Sequence, residues 1–154
     1  MSEHVKPVPD SYPTLSPYLI VTDGAAAIAF YERVFGARLR MRLPGPQGKV
    51  GHAELEVGPA VIMLADEHPE MGARSPATIG GSPVFLHLYV ENVDEVVQRA
   101  AEAGAKVVRP VETKFYGDRA GMIADPFGHV WSIGTHVEDI SPEEIERRAA
   151  ELLA

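Results

Sequence analysis

The feature that most constrains this chain is that it is written twice. Val21-Thr22-Asp23 opens an amphipathic stretch that closes at Gly36-Ala37-Arg38-Leu39, and Val90-Glu91-Asn92 opens another that closes at Gly104-Ala105-Lys106-Val107. The valines lie 69 positions apart and the glycines 68, so a one-residue gap in the amphipathic stretch reconciles the copies. Farther on, Gly58-Pro59-Ala60-Val61-Ile62-Met63 returns as Phe127-Gly128-His129-Val130-Trp131-Ser132, again 69 positions later. A unit this short buries too little surface to hold a core alone, so the two copies are expected to be paired halves of one core and not links of a solenoid.

Each copy reads strand, helix, three strands. In the first, residues 17–21 form a short apolar run, β-branched at its end, and predict a strand. Asp23 is the expected N-cap of a helix in which Ala27, Ile28, Tyr31, Val34 and Phe35 recur at helical spacing until Gly36 stops it. Residues 37–43 and 50–57 flank the hairpin loop Pro44-Gly45-Pro46-Gln47-Gly48, and residues 60–65 give the fourth strand. The second copy repeats the order with a strand at 84–90, a helix capped by Asn92 and Glu95, and strands at 106–111, 119–124 and 129–134. Val93, Val96, Val97 and Ala100 are its buried stripe and Gly104 its end. The expected organisation is an N-terminal extension (1–14), a first βαβββ module (15–67), a Pro- and Gly-rich linker or lid (68–83), a second module (84–138) and a C-terminal helix (139–154). Ser141-Pro142-Glu143-Glu144 starts that last helix, and Ile145, Ala149 and Leu152 give it one apolar side, read as a docking face. The fold class is α+β.

Composition narrows the chemistry. A net charge of −8 repels phosphate backbones and argues against nucleic acid as a partner. No apolar run reaches transmembrane length, and the polar start Met1-Ser2-Glu3-His4 lacks the apolar core of a signal peptide, so we expect a cytoplasmic chain with no membrane partner. With 0 cysteines, disulfides, thiolate metal sites and cysteine nucleophiles are excluded, which leaves His, carboxylates, Arg, Tyr and Ser. There is no Gly-x-Ser-x-Gly elbow. Gly45-Pro46-Gln47-Gly48 lacks the Lys-Ser/Thr pair of a phosphate loop, and Gly80-Gly81-Ser82 precedes a strand.

Seven segments in order carry a resemblance: Ser16-Pro17-Tyr18-Leu19; Phe30-Tyr31 before Phe35-Gly36-Ala37; His52-Ala53-Glu54-Leu55; Met63-Leu64-Ala65-Asp66-Glu67; Leu86-His87-Leu88-Tyr89-Val90; Phe115-Tyr116-Gly117-Asp118-Arg119; and Asp125-Pro126-Phe127-Gly128-His129-Val130-Trp131. With the doubled βαβββ order they make residues 15–138 resemble the vicinal oxygen chelate superfamily of glyoxalases, bleomycin-resistance proteins and extradiol dioxygenases, most closely its PhnB-like branch. The resemblance implies cupped mixed sheets around a small-molecule cavity, and a homodimer in which the cavity is built within one chain or across two. Metal-dependent members take one ligand from the first and one from the fourth strand of each half. Counting from Phe30-Tyr31 puts the first-half positions at Ser16 and Met63, and the repeat puts their partners at Phe85 and Ser132. Those four are no set for a divalent cation, so no metal cofactor is expected at the standard site. A displaced site from His87, Glu67 and His136 is the alternative. Against it stands the reading of Glu67 and His136 as solvated strand ends and of His87 as a hydrogen-bonded cavity residue.

Strand parity supplies the candidate ligand-facing residues. Along 50–57, Gly51, Ala53, Leu55 and Val57 suit the helix-covered face, while His52, Glu54 and Glu56 point the other way, which in a cupped sheet is the cavity. Glu56 reads as a solvated edge; for His52 and Glu54 the cavity and a solvated edge remain open. Phe85, His87 and Tyr89 share a face, and with Tyr18 they supply flat walls with polar tips. Tyr116 sits on the loop before the seventh strand, a segment that approaches the ligand in metal-free relatives of the resembled family. Arg119 falls on the repeat position of Val50, and we expect it on the cavity face as a carboxylate or phosphonate anchor, or else in a salt bridge with Asp118, Asp125 or a partner subunit. Trp131, of opposite parity to Ser132, reads as core; Asp125-Pro126-Phe127-Gly128 as a structural hairpin; His4, His68 and His129 as surface.

Two classes of function follow. One is a binding protein that sequesters a small ligand without the standard metal, a task for which an acidic surface suits a cationic drug of the bleomycin type. The other is an enzyme, a glyoxalase-type lyase, isomerase or dioxygenase, working through a displaced metal or through metal-free acid–base chemistry of His87 or His52 with Glu54. No catalytic residue is assigned.

Overall fold

The structure, a computed structural model, describes residues 5–154, so His4 lies outside the described residues. Two compact units meet in sequence between Gly81 and Ser82.

The first unit runs β1 (Tyr18–Val21), α1 (Gly24–Phe35), β2 (Arg38–Pro44), β3 (Val50–Val57) and β4 (Ala60–Asp66). Its sheet has the order β1-β4-β3-β2, with β1 parallel to β4 and the other pairs antiparallel. Asp23 caps α1 by accepting from Ala26 N at 3.0 Å, and Gly36 closes it in the left-handed region at φ 67. Buried Ile28, Tyr31 and Val34 of α1 and buried Leu19, Leu55 and Leu64 of the sheet make the core, while Tyr18, Met63 and Glu54, in register across β1, β4 and β3, point to the other face. After β4 the chain is folded. A 3-10 turn at Pro69–Met71 and the short helix α2 (Pro76–Ile79) follow, and the Glu67 carboxylate accepts from Ser75 N at 3.1 Å, Ser75 Oγ at 2.8 Å and Thr78 Oγ1 at 2.6 Å.

The second unit repeats the plan with β5 (Phe85–Tyr89), α3 (Val93–Glu102), β6 (Lys106–Thr113), β7 (Asp118–Ala124) and β8 (Val130–His136), ordered β5-β8-β7-β6. Asn92 caps α3 through Glu95 N at 3.2 Å. Trp131, 3% exposed, is core, and its indole N–H donates to Asp125 Oδ2 at 2.9 Å. The other Asp125 oxygen accepts from Phe127 N and His129 N, so the Pro-Gly hairpin is built around one buried carboxylate. The two βαβββ modules read from the repeat are therefore present as two four-stranded mixed sheets. Strands β2, β4, β6 and β8 end later than their apolar runs do. In β8 the extension has a visible cause: Thr135 hydrogen-bonds Val90 O and Val93 N, and His136 pairs with Asp118. Helix α4 (Pro142–Leu153), capped by Ser141, has half-buried Ile145 and Ala149, but Leu152 is exposed; Arg148 ties the helix to Phe115 O at 2.9 Å.

One expected face is corrected. Leu43 pairs with His52 but Pro44 with Val50, so Gly51 is an extra residue, and this β-bulge turns Val50 to the helix side. Its repeat partner Arg119 also faces the helix, where it donates from Nε and Nη2 to the two Asp94 oxygens of α3 at 2.8 and 2.9 Å. The cavity-facing position expected of Arg119 presumed that Val50 keeps the parity of His52, which a bulge cancels.

Candidate ligand-binding site

The first unit gathers a polar network on the open side of its sheet. Glu54, in the middle of β3, is only 3% exposed. One of its oxygens accepts from Tyr12 Oη at 2.7 Å and Arg40 Nε at 3.1 Å, and the other lies 2.8 Å from His52 Nε2. His52 Nδ1 in turn lies 2.7 Å from Tyr18 Oη. Burial alone would raise the Glu54 carboxyl, but the bonds from His52, Tyr12 and Arg40 outweigh it and hold it below the usual carboxylate range. Burial, with the Glu54 charge behind it, pushes the Tyr18 phenol above its ordinary value. Arg40 lies over the Tyr12 ring, 4.2 Å from its centroid, and donates to Ser11 O at 2.8 Å. The register shifts between Leu39 and Met41, marking an irregularity in β2 at Arg40, whose side chain meets Glu54.

Beside this network lies a cavity of about 480 Å³, walled by Tyr18 and Ile20 of β1, Ala65 of β4, Lys49 before β3, and Met71 and Ala73 of the folded segment after β4. Its volume suits a small organic molecule. Tyr18, 47% exposed, belongs to both the cavity and the network.

In the second unit the open side carries Phe85, His87 and Tyr89 in a row along β5, with Phe85 56% and Tyr89 58% exposed. His87 bonds Ser132 Oγ at 3.0 Å, and its ring meets Tyr89 edge-on at 4.7 Å. Tyr89 Oη donates to buried Asp118 at 2.6 Å, and His136 bridges Asp118 at 2.8 Å and Asp139 at 2.7 Å. These two acids raise the His136 pKa, Asp118 first. Asp118 itself stays low, because the bonds from Tyr89 and His136 outweigh its burial. Tyr116 lines a cleft of about 80 Å³ with Arg109, Lys114 and Met122.

Of the residues singled out in the sequence, Tyr18, His52 and Glu54 are joined in one chain of hydrogen bonds. Phe85, His87 and Tyr89 share an exposed face, Tyr116 lies at a separate cleft, and Arg119 is bound to α3. Sequence reasoning missed Tyr12, Arg40 and Lys49. Tyr12 sits in an extension without periodicity, 42 positions from Glu54. An aromatic in such an extension is the one signal that was available.

Residues 11–133 match the Glyoxalase/Bleomycin resistance protein/Dioxygenase superfamily. The chain belongs to this superfamily. An uncharacterised protein of Mycobacterium bovis is 47% identical over 137 residues, which cover 87% of this chain and 90% of the relative. One from Mycobacterium tuberculosis H37Rv has the same identity and covers 87% of this chain and 81% of its own. Among solved structures, TioX from Micromonospora sp. ML1 is 29% identical with a TM-score of 0.62, covering 81% of this chain and 99% of that one. Protein PA1353 from Pseudomonas aeruginosa is 26% identical with a TM-score of 0.66, covering 82% and 99%. The putative 3-demethylubiquinone-9 3-methyltransferase, PhnB protein, from Bacillus cereus shares the fold at 18% identity and a TM-score of 0.62, covering 80% and 99%.

The residues at Ser16, Met63, Phe85 and Ser132, where the resemblance would place metal ligands, do not fit a divalent cation. They offer two neutral hydroxyls, a thioether and a phenyl ring, and the Ser132 hydroxyl is bonded to His87. Ser16 Oγ is buried without a hydrogen-bond partner among the described residues, and one orphan hydroxyl is no metal site. The displaced set of Glu67, His87 and His136 is corrected as well. Among the described residues no three His, Asp or Glu side chains converge as a cation would need. Glu67 is committed to Ser75 and Thr78, His136 to two aspartates, and His87 to Ser132. Among the described residues, no helix is long and apolar enough to cross a membrane.

Proposed function

We propose that this superfamily member binds a small organic ligand in the first-unit cavity, through its own side chains and without a metal at the four standard positions. The observation that carries the reading is the cavity of about 480 Å³ bounded by Tyr18, Ile20, Ala65 and Met71, with the polar Tyr18–His52–Glu54 chain opening onto it at one residue. Apolar walls with a few fixed polar groups are what small-molecule sites need. The same reading includes a homodimer, for which the exposed Phe85 and Tyr89 supply apolar surface, and a cytoplasmic setting, in keeping with a cysteine-free chain.

The test is a thermal-shift screen with a bleomycin-type glycopeptide, a short phosphonate, a glutathione conjugate and a simple phenol. A ligand that binds the folded state raises the Tm in proportion to its occupancy. The expected result is a raised Tm with at least one of them, abolished in Ile20→Trp, which fills the cavity from β1. A panel that leaves the Tm unmoved, or a shift that survives Ile20→Trp, contradicts the reading.

A further inference from the structure

We propose that Tyr18, His52 and Glu54 form a proton relay that ionises a weakly acidic O–H ligand, a phenol or an enol, and holds it as its anion. The inference rests on the cavity being a ligand site and names the ligand's chemical class.

The direction of the bonds to Glu54 follows from its being a carboxylate surrounded by donors, and that of the Tyr18 bond from taking the resting His52 as neutral. Glu54 is an ionised carboxylate and only accepts. Its Oε1 takes Tyr12 O–H and Arg40 Nε–H, and its Oε2 faces His52 Nε2, which must therefore carry a proton. We take the resting imidazole as neutral and protonated at Nε2; Nδ1 then carries the lone pair, and the 2.7 Å bond to Tyr18 is a phenol O–H donating to it. Tyr18 is thus an intact phenol whose own proton points away from the cavity it lines, and its oxygen lone pairs are left to accept from a ligand. This is the logic of an activated hydroxyl backed by a histidine and a carboxylate, with a phenol in the place of the serine.

The balance of the step is simple. The ligand O–H bond breaks and its proton goes to the Tyr18 oxygen, while the Tyr18 proton passes to His52 Nδ1. The products are a ligand anion, an unchanged Tyr18 phenol, and a His52 imidazolium against Glu54. No electron moves and the total charge is conserved. Glu54 can stabilise an imidazolium through its Oε2, while Arg40 on its Oε1 fixes the carboxylate's position. On the cavity side, two of the three lining carboxylates already accept hydrogen bonds, Asp66 from Gly24 N and Val50 N and Glu67 from Ser75 and Thr78, and Glu70 lies 2.7 Å from His68 Nδ1. Lys49 is the one Lys or Arg lining the cavity among the described residues, and its charge already acts on Glu67 there. An anion is the ligand charge that this lysine and a new imidazolium would both attract.

The probe is 4-nitrophenol, whose anion absorbs visible light at longer wavelength than its acid, with 4-nitroanisole as the comparator that has no proton to give. Both are titrated into the full chain below the phenol's own ionisation midpoint, while ¹⁵N spectra follow the His52 ring. The expected result is a phenolate band that grows in step with occupancy, with His52 passing from the Nε2–H tautomer to the imidazolium. 4-Nitroanisole should bind about tenfold more weakly. Tyr18→Phe and His52→Gln should each reduce the phenolate band at saturation about tenfold, with unchanged far-UV circular dichroism. Binding of 4-nitrophenol as the neutral acid, or a phenolate band that survives both substitutions, overturns the relay and leaves the cavity reading standing. Failure of both compounds to bind overturns the relay, and only a thermal-shift panel that is silent as well overturns the cavity reading.

Discussion

The two halves of this chain share a fold and neutralise their buried acids in different ways. In the first, Glu54 is held by Arg40, whose charge is permanent, with Tyr12 and His52 completing its bonds. In the second, Asp118 is held by Tyr89 and by His136, whose charge depends on pH. The carboxylates also sit at different places in corresponding strands, Glu54 in the middle of β3 and Asp118 at the start of β7. A duplicated scaffold thus fixes backbone and caps, while each copy is free to place its charged groups where its own extension, bulges and loops can satisfy them.

The largest expected effect is on the fixed charge. Glu54→Gln leaves the Arg40 guanidinium, 17% exposed, with only Glu56 at 3.7 Å as an acid partner and should destabilise the fold by about 3 kcal/mol in urea unfolding. Asp118→Asn should cost about half as much, on the order of 1.5 kcal/mol, because His136 can release its proton once the acid is gone. Equal losses would show that the halves treat their acids alike.

A second contrast comes from the backbone. Gly48 and Gly117 are repeat partners and both lie in the left-handed region, at φ 74 and φ 98. A Cβ on Gly48 would meet nothing within 4 Å, whereas one on Gly117 would sit 2.3 Å from Glu138 O. Gly48→Ala should therefore cost about 1 kcal/mol, and Gly117→Ala roughly 3 kcal/mol, since the chain after β8 must move as well. Similar values would mean that the segment after β8 yields freely.

The smallest effect is in pH dependence. His136 has its pKa raised above 6.5, so its contribution to stability is complete below that ordinary value and is lost as pH rises through the raised one. Glu54 and Asp118 have lowered values, and their contributions are lost only in acid. Unfolding measured from mildly acidic to mildly alkaline pH should show a decline in stability that His136→Gln removes, with no comparable change on Arg40→Met. A decline that persists in His136→Gln assigns the titration elsewhere.

Much of the fold was legible because its causes are local and periodic. The Asp23 and Asn92 caps, the Gly36 stop, the inner stripe of α3 and the alternation along β3 each leave a mark within a few residues. The pairing of His52 and Glu54 on one face was legible for the same reason. The bulge left one mark, the glycine at 51 inside a strand pattern, but read by parity alone the strand hides that it reverses the face of Val50, and with it the inferred face of Arg119. The reach of Tyr12 across 42 positions to Glu54 was not legible, nor was the closing of Glu67 on Ser75 and Thr78, because such contacts follow from three-dimensional return of the chain and have no period.

The central claim is that the first half carries the ligand. Backbone amide shifts in a two-dimensional NMR titration with 4-nitrophenol test it most directly. The account predicts the largest changes at Tyr18, Lys49 and Ala65, with His52 following. Changes centred on Phe85, His87 and Tyr116, with Tyr18 and Lys49 unmoved, would contradict it.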